Sequence, residues 1–249
     1  MTEEPLLAVE NLRARRGNVE VVFDFNLSVD RGESVAVLGP NGAGKSTSID
    51  AISGLAQKAG GSVVFDGCDV TDWPPHRIAR SGLVQVSQDR DLFPLMSVGD
   101  NLLLGGHAAR HGEVRRDRLD DLLNVFPILR DRWAQRANSL SGGEQQMLAI
   151  ARSLVSGPRL VLLDEPSAGL APSVIDSLID LLRDVARDEL TLVLTEQNVE
   201  ISLALCSTFV VVRNGRTVFT GDRPSLGRDP QGLIASLYMD SNVGETHDP

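Results

Sequence analysis

Residues 39–46 read GPNGAGKS, and this stretch constrains the fold more than any other. It matches G-x-x-x-x-G-K-[ST], follows the apolar run ESVAVLG (33–39) and precedes a helical pattern. Its glycines leave backbone N–H groups free to converge on phosphate oxygens without interference from a Cβ. The helix start adds the positive end of its dipole. Gly39, Pro40, Asn41, Gly42, Ala43, Gly44, Lys45, Ser46 and Thr47 are therefore candidate nucleotide-binding residues. Lys45 supplies a mobile cation for the outer phosphates, and Ser46 an oxygen for a divalent metal. A capped glycine turn could share some of these letters, but the full spacing behind a strand favours phosphate.

Strand and helix signals place that motif in a larger frame. LLAVENLRA (6–14) and VFDFNLSV (22–29) alternate apolar and polar positions, and GSVVFDG (61–67) and LVQVSQ (83–88) also read as strands. From 98 to about 157 the periodicity is helical, with no good strand. A buried strand (160–164), an amphipathic helix (172–188), the strand LTLVLT (190–195) and a short helix follow. Asn214-Gly215, inside FVVVRNGRTVFTG, predicts a hairpin turn. Strands alternating with helices imply a parallel sheet. LVLLDEP then means more than a charged loop start, because its strand delivers Asp164 to the carboxyl edge, where ligands of open α/β folds sit. Asp164 becomes a candidate to hold magnesium through its water shell, and Glu165 to orient or deprotonate an attacking water.

Bulk properties exclude several classes. Hydrophobic content of 42% and charged content of 23% suit a buried core, and a net charge of −10 argues against nucleic acid as a partner. The run Arg13-Ala14-Arg15-Arg16 is more simply solvated surface. No apolar run nears the ~20 residues needed to span a bilayer, so work at a membrane would go through a partner. Cys68 and Cys206 have no metal or redox spacing, which suits a reducing cytosol. His107 and His111 stand at i, i+4 without a third ligand nearby, the pattern of a solvated helix face. No secretory leader is legible at residue 1.

LSGGEQQ (140–146) is a second device of the same kind. Ser141 and Glu144 form S-x-x-E, a capping box ahead of an apolar helix. That leaves Gly142 and Gly143 unexplained, since each glycine in a first helical turn costs up to ~1 kcal/mol relative to alanine. Two together suggest close approach to the backbone, and a bare helix N-terminus is an anion site.

The ordered set GPNGAGKST, LSGGEQQ and VLLDEP resembles the ATP-binding subunits of ABC transporters across nearly the whole chain. In that family LSGGE is the signature motif and touches the γ-phosphate held by the opposite subunit of a head-to-tail dimer. The resemblance thus implies that Ser141, Gly142 and Gly143 serve a partner's ATP, with ATP and Mg2+ as the bound groups. Gln88 falls where the family's glutamine senses magnesium and water, although Gln85 is close by and a solvated loop amide is the alternative. Phe93, Pro94 and Leu95 fall where the family meets its transmembrane partner.

Three positions depart from the family pattern. Arg16 stands where an aromatic often stacks on adenine; a guanidinium can stack there, or simply be solvated. Ala171 replaces an aspartate that crosses the dimer interface, and Gln197 replaces the switch histidine. Losing a charge-assisted bond is worth about 1.5–3 kcal/mol, which positioning by Lys45 and a metal could survive. GGEQQMLAIARSL, GLAP and EQN are together similar to the branch serving branched-chain amino acid importers, where Gln88 would be expected as glutamate.

The expected fold is α/β: a P-loop NTPase (RecA-like) core with an N-terminal antiparallel β subdomain and an inserted helical subdomain. The core is expected over 1–88 and 158–240, the helical signature subdomain over 89–157, and a disordered tail over 241–249. The resemblance implies a peripheral subunit at the cytoplasmic face of the cell membrane. Its partners would be two transmembrane permease subunits, a second ATPase subunit and an extracytoplasmic substrate-binding protein. Urea, amide or lipid transport, a slow regulatory ATP-binding role, and a soluble ATPase without a permease stand as alternatives.

Overall fold

A computed structural model describes residues 4–106, 116–186 and 190–239. In chain order, β1 (Leu7–Arg16), β2 (Val19–Val29) and β3 (Ser34–Leu38) lead into α1 (Lys45–Ile52). Next come β4 (Gln57–Phe65), β5 (Cys68–Asp69), α2 (Pro75–Ser81) and β6 (Leu83–Val86). The helices α3 (Val98–Gly105), α4 (Arg116–Val125), α5 (Pro127–Asp131) and α6 (Gly142–Val155) follow. The chain continues through β7 (Leu160–Asp164), α7 (Pro172–Ala186), β8 (Thr191–Glu196), α8 (Val199–Leu205), β9 (Thr208–Arg213), β10 (Arg216–Asp222) and α9 (Pro230–Met239).

The strands order as β5-β4-β1-β2-β10-β9-β3-β8-β7-β6. From β9 to β6 every pairing is parallel, while β1, β2, β4 and β5 pair antiparallel at the other end. A single parallel pair, Arg216 with Asp24, joins the two halves. Parallel strands covered on both faces read as continuous apolar runs, and strand periodicity then divides them. Ala36, Leu38, Val161, Leu163, Leu192, Leu194, Phe209 and Val211 join one core, shared with residues of α3 to α9. Val35, Val37, Leu160, Leu162, Val193, Val210 and Val212 join the other, with α1 and the antiparallel strands.

Two boundaries differ from the sequence expectation. β4 begins at Gln57, not 61, because Gly60 and Gly61 lie within the strand at a register shift against β1. Gly61 has φ +84°, and a Cβ there would come within 2.5 Å of Asn11 O, so the glycine makes an irregular strand rather than a boundary. The helical segment is also broken: Phe126 separates α4 from α5, which opens on Pro127, and a 3₁₀ turn (Ala137–Ser139) precedes α6. The hairpin at Asn214 (φ +49°) and Gly215 (φ +72°) is present between β9 and β10. His107, His111, the last two residues of the expected helix 172–188, and the tail 241–249 lie outside the described residues.

Candidate nucleotide-binding and catalytic site

The glycine loop is held from two sides. The Gly215 amide donates to Ala43 O at 2.8 Å, and the Phe23 amide to Gly215 O at 2.8 Å, so the hairpin turn wedges between loop and β2. A Cβ on Gly39 would meet Val212 O at 2.5 Å, which only glycine avoids. Gly44 enters α1 with φ +103° and no side chain caps the helix. The first-turn amides are left for an anion.

Around that helix start four predicted residues converge. Lys45, 4% exposed, donates from Nζ to Gly39 O at 2.8 Å and Pro40 O at 3.4 Å, and pairs with Glu165 Oε1 at 3.1 Å. Ser46 Oγ donates to Asp164 Oδ1 at 3.1 Å. Thr195 Oγ1 donates to the same oxygen at 2.6 Å, and accepts the Glu165 amide at 3.1 Å. Thr195 was not singled out from the sequence. The signal that would have found it is its register opposite Asp164, a property of strand pairing that the letters LTLVLT do not carry. Glu165 sits at φ +44°, an outlier for a non-glycine residue that turns the chain out of β7.

Burial pushes the Asp164 carboxyl up from the usual carboxylate range; Thr195 and Ser46 pull it down by hydrogen bonding, and Asp50 and Glu165 add repulsion. A buried carboxylate and a serine hydroxyl side by side suit a hard, oxygen-seeking dication, so the donor set fits Mg2+. Among the described residues no cluster of three His, Cys, Asp or Glu forms a metal site of its own.

The remaining predicted residues lie apart from this cluster. Gln88 is exposed just past the carboxyl end of β6, whereas Gln85 is occupied by Ser53 and Asp50 of the α1 side. Gln197 is exposed after β8; its backbone N–H donates to Glu196 Oε2 at 3.3 Å. Glu196, 2% exposed, also accepts the Ser167 amide at 3.2 Å, tying the loops after β7 and β8 together. Arg16 is exposed at the end of β1, opposite Val19.

At the start of α6, Ser141 Oγ accepts the Glu144 amide at 3.3 Å and Glu144 Oε2 accepts the Ser141 amide at 2.7 Å. The capping box is complete. The two glycines separate here: a Cβ on Gly143 would strike Val174 Cγ1 at 2.5 Å, so packing against α7 explains it. A Cβ on the exposed Gly142 would find only Arg90 Nη1 and Nη2, at 3.7 and 3.8 Å, so nothing inside the chain demands it. Packing thus accounts for the missing side chain at Gly143, while only Gly142 is left without a reason inside the chain.

A cavity of about 760 Å3 opens elsewhere, at the amino edge of the sheet between Arg31, Phe126 and Thr191. No helix among the described residues is long and apolar enough to cross a membrane.

Residues 22–168 match the protein family described as ABC transporter. The chain is 36% identical over 234 residues to the high-affinity branched-chain amino acid transport ATP-binding protein BraG of Pseudomonas aeruginosa, covering 94% of this chain and 99% of the relative. It is 37% identical over 240 residues to the lipopolysaccharide export system ATP-binding protein LptB of Escherichia coli, covering 94% and 96%. Among solved structures, the ADP conformation of MJ1267, an ATP-binding cassette of an ABC transporter, matches with a TM-score of 0.79 at 25% identity over 96% of each chain. With the glycine cradle, the Ser46–Asp164 pair and the capped Ser141 helix tip in one molecule, the chain belongs to the ABC transporter family and is one of its ATPases.

Proposed function

We propose that this ATPase energises uptake of branched-chain or related amino acids through separate permease subunits at the cytoplasmic face of the membrane. The observation that carries the reading is the meeting of Lys45, Ser46, Asp164 and Glu165 below an uncapped α1, with a second helix tip at an exposed Gly142. The α1 amides and Lys45 would bind the β- and γ-phosphates, Lys45 leaving Glu165 to do so. Ser46 and Asp164 would hold Mg2+, with Gln88 reaching in from the β6 loop. The metal, when bound, neutralises charge on the phosphate oxygens. Glu165, released from Lys45, orients or deprotonates the attacking water, and the Gln197 amide donates a hydrogen bond toward the γ-phosphate. Arg16 would stack its guanidinium on the adenine. Ser141, Gly142 and Gly143 act on the ATP of a second ATPase subunit, so each site is shared.

Similarity to BraG supports the substrate class, together with GLAP and EQN. LptB, at 37% identity, favours a second reading in which the cargo is a lipid and the direction outward. Reconstitution with the cognate permeases decides between them. Stimulation of ATP hydrolysis by a binding protein loaded with leucine, isoleucine or valine is expected, and stimulation only by lipid would select the second reading. For the shared site, Glu165→Gln with saturating MgATP should form a dimer, homomeric or with the second ATPase subunit, in light scattering. A variant that stays monomeric with every candidate partner removes the shared-site mechanism.

A further inference from the structure

The loop carrying Gln88 is bound to the signature helix by two arginines that point in opposite directions. Arg90, from the loop, donates from Nε to Gln146 Oε1 at 3.0 Å and from Nη1 to Gln145 Oε1 at 3.1 Å, both in the first turns of α6. Its guanidinium comes to rest beside Gly142. Arg152, from the far end of α6, reaches back: Nη1 donates to Asp91 O at 2.7 Å and Nη2 to Arg90 O at 3.2 Å. The backbone so held is strained. Arg90 (φ +66°) and Asp91 (φ +46°) are consecutive non-glycine residues in the left-handed region, a conformation that persists only where the surroundings over-determine it. The same Arg152 guanidinium lies 5.7 Å from the ring centre of Phe93, which is 49% exposed, and Asn101 pins the Phe93 backbone through its amide at 2.9 Å and its carbonyl at 3.1 Å.

Three features thus share one rigid connection: Gln88 at the sheet edge, the Gly142 tip of α6, and the exposed Phe93. Resting on the proposed function, we infer that Arg90 is the positioning residue of this connection, its forked guanidinium locking the Gln88 loop to the α6 tip. Nucleotide sensed at Gln88 then alters the tip offered to the partner subunit. Arginine serves where lysine would not, because two acceptors on successive residues, Gln145 and Gln146, are met by one planar fork.

Hydrogen exchange on the isolated full-length subunit, with and without MgATP, tests this. Without nucleotide, Arg90→Ala and Arg90→Lys should each speed exchange at least tenfold at residues 89–91 and 142–146, leaving β7 unchanged. With MgATP, wild type should show protection of residues 39–47 together with a change at 142–146, and the variants only the former. In steady-state hydrolysis both variants should lower kcat while KM for ATP holds. Unchanged exchange at both segments in Arg90→Ala overturns the inference, as does a lysine variant indistinguishable from wild type, since a point charge would then suffice. Should Arg90→Ala fail to fold, Gln146→Leu removes one arm of the fork and is held to the same readouts. Absence of MgATP protection at residues 39–47 in wild type sinks the functional reading instead, and is told apart by that segment.

Discussion

Asp164 sits where burial disfavours the charge of its carboxylate. Burial raises its pKa above the ordinary aspartate value of ~3.9, while Ser46 and Thr195 hydroxyls both point at Oδ1. An asparagine carbonyl accepts both bonds without the desolvation penalty. Asp164→Asn should therefore melt about 2 °C or more above wild type in the nucleotide-free state, while Mg2+-dependent hydrolysis falls at least a hundredfold. The sign with pH follows from a raised folded pKa: wild type gains stability as pH falls from the folded value toward the unfolded one. The melting gap between variant and wild type should be full above the raised value and vanish below ordinary aspartate pH, which calorimetry across pH 3–8 reads. Lys45→Ala should act oppositely. It strips the buried cation from Glu165, whose side chain is 17% exposed, and breaking a buried pair costs about 3–5 kcal/mol, so this variant should melt well below wild type. Lys45, Ser46 and Asp164 were legible in the sequence because their chemistry is carried by local spacing. Thr195 and Arg90 were not, because their partners lie 31 and 55 to 56 residues away and only the fold sets the register.

At the level of the element, α6 separates two reasons for glycine. Gly143→Ala forces a Cβ onto Val174, an overpacking that should cost roughly 1–3 kcal/mol in denaturant melts. Gly142→Ala meets nothing closer than 3.7 Å and should be neutral or stabilising by up to ~1 kcal/mol, while ATP hydrolysis in the assembled dimer falls at least tenfold. Equal melts for the two variants, or full activity in Gly142→Ala, would contradict this assignment. Sequence alone could not divide the pair: both glycines carry the same helix-propensity penalty, and the position of Val174 on α7 is tertiary information. The capping box, by contrast, was legible, since Ser141 and Glu144 act within one helical turn. The early start of β4 was missed for the converse reason, since glycine reads as a strand boundary and here accommodates the close approach of the Asn11 backbone of β1.

For the molecule as a whole, the segment read as an inserted helical subdomain shares its core with the sheet. Leu102, Phe126, Leu148 and Ile150 belong to the same buried cluster as Leu38, Leu163 and Phe209. Excision of residues 89–157 with a short linker should therefore yield an insoluble or dye-binding chain, and a soluble, cooperatively melting product would contradict the shared core. The α/β class was visible in the alternation of strand and helix; the division of each strand between two cores was not, because runs such as LVLL are apolar at every position. The strand order also bears on how the chain is made. β3, which leads into the phosphate loop, is flanked by β8 and β9, both encoded more than 150 residues later. During synthesis the nascent β3 waits, its two edges unpaired, until residue 213 has left the ribosome, and loop closure over such a span is slow. Nonsense truncations before residue 190 should consequently be cleared by proteases or captured by chaperones, and cellular yield will track translation speed through the final third of the message.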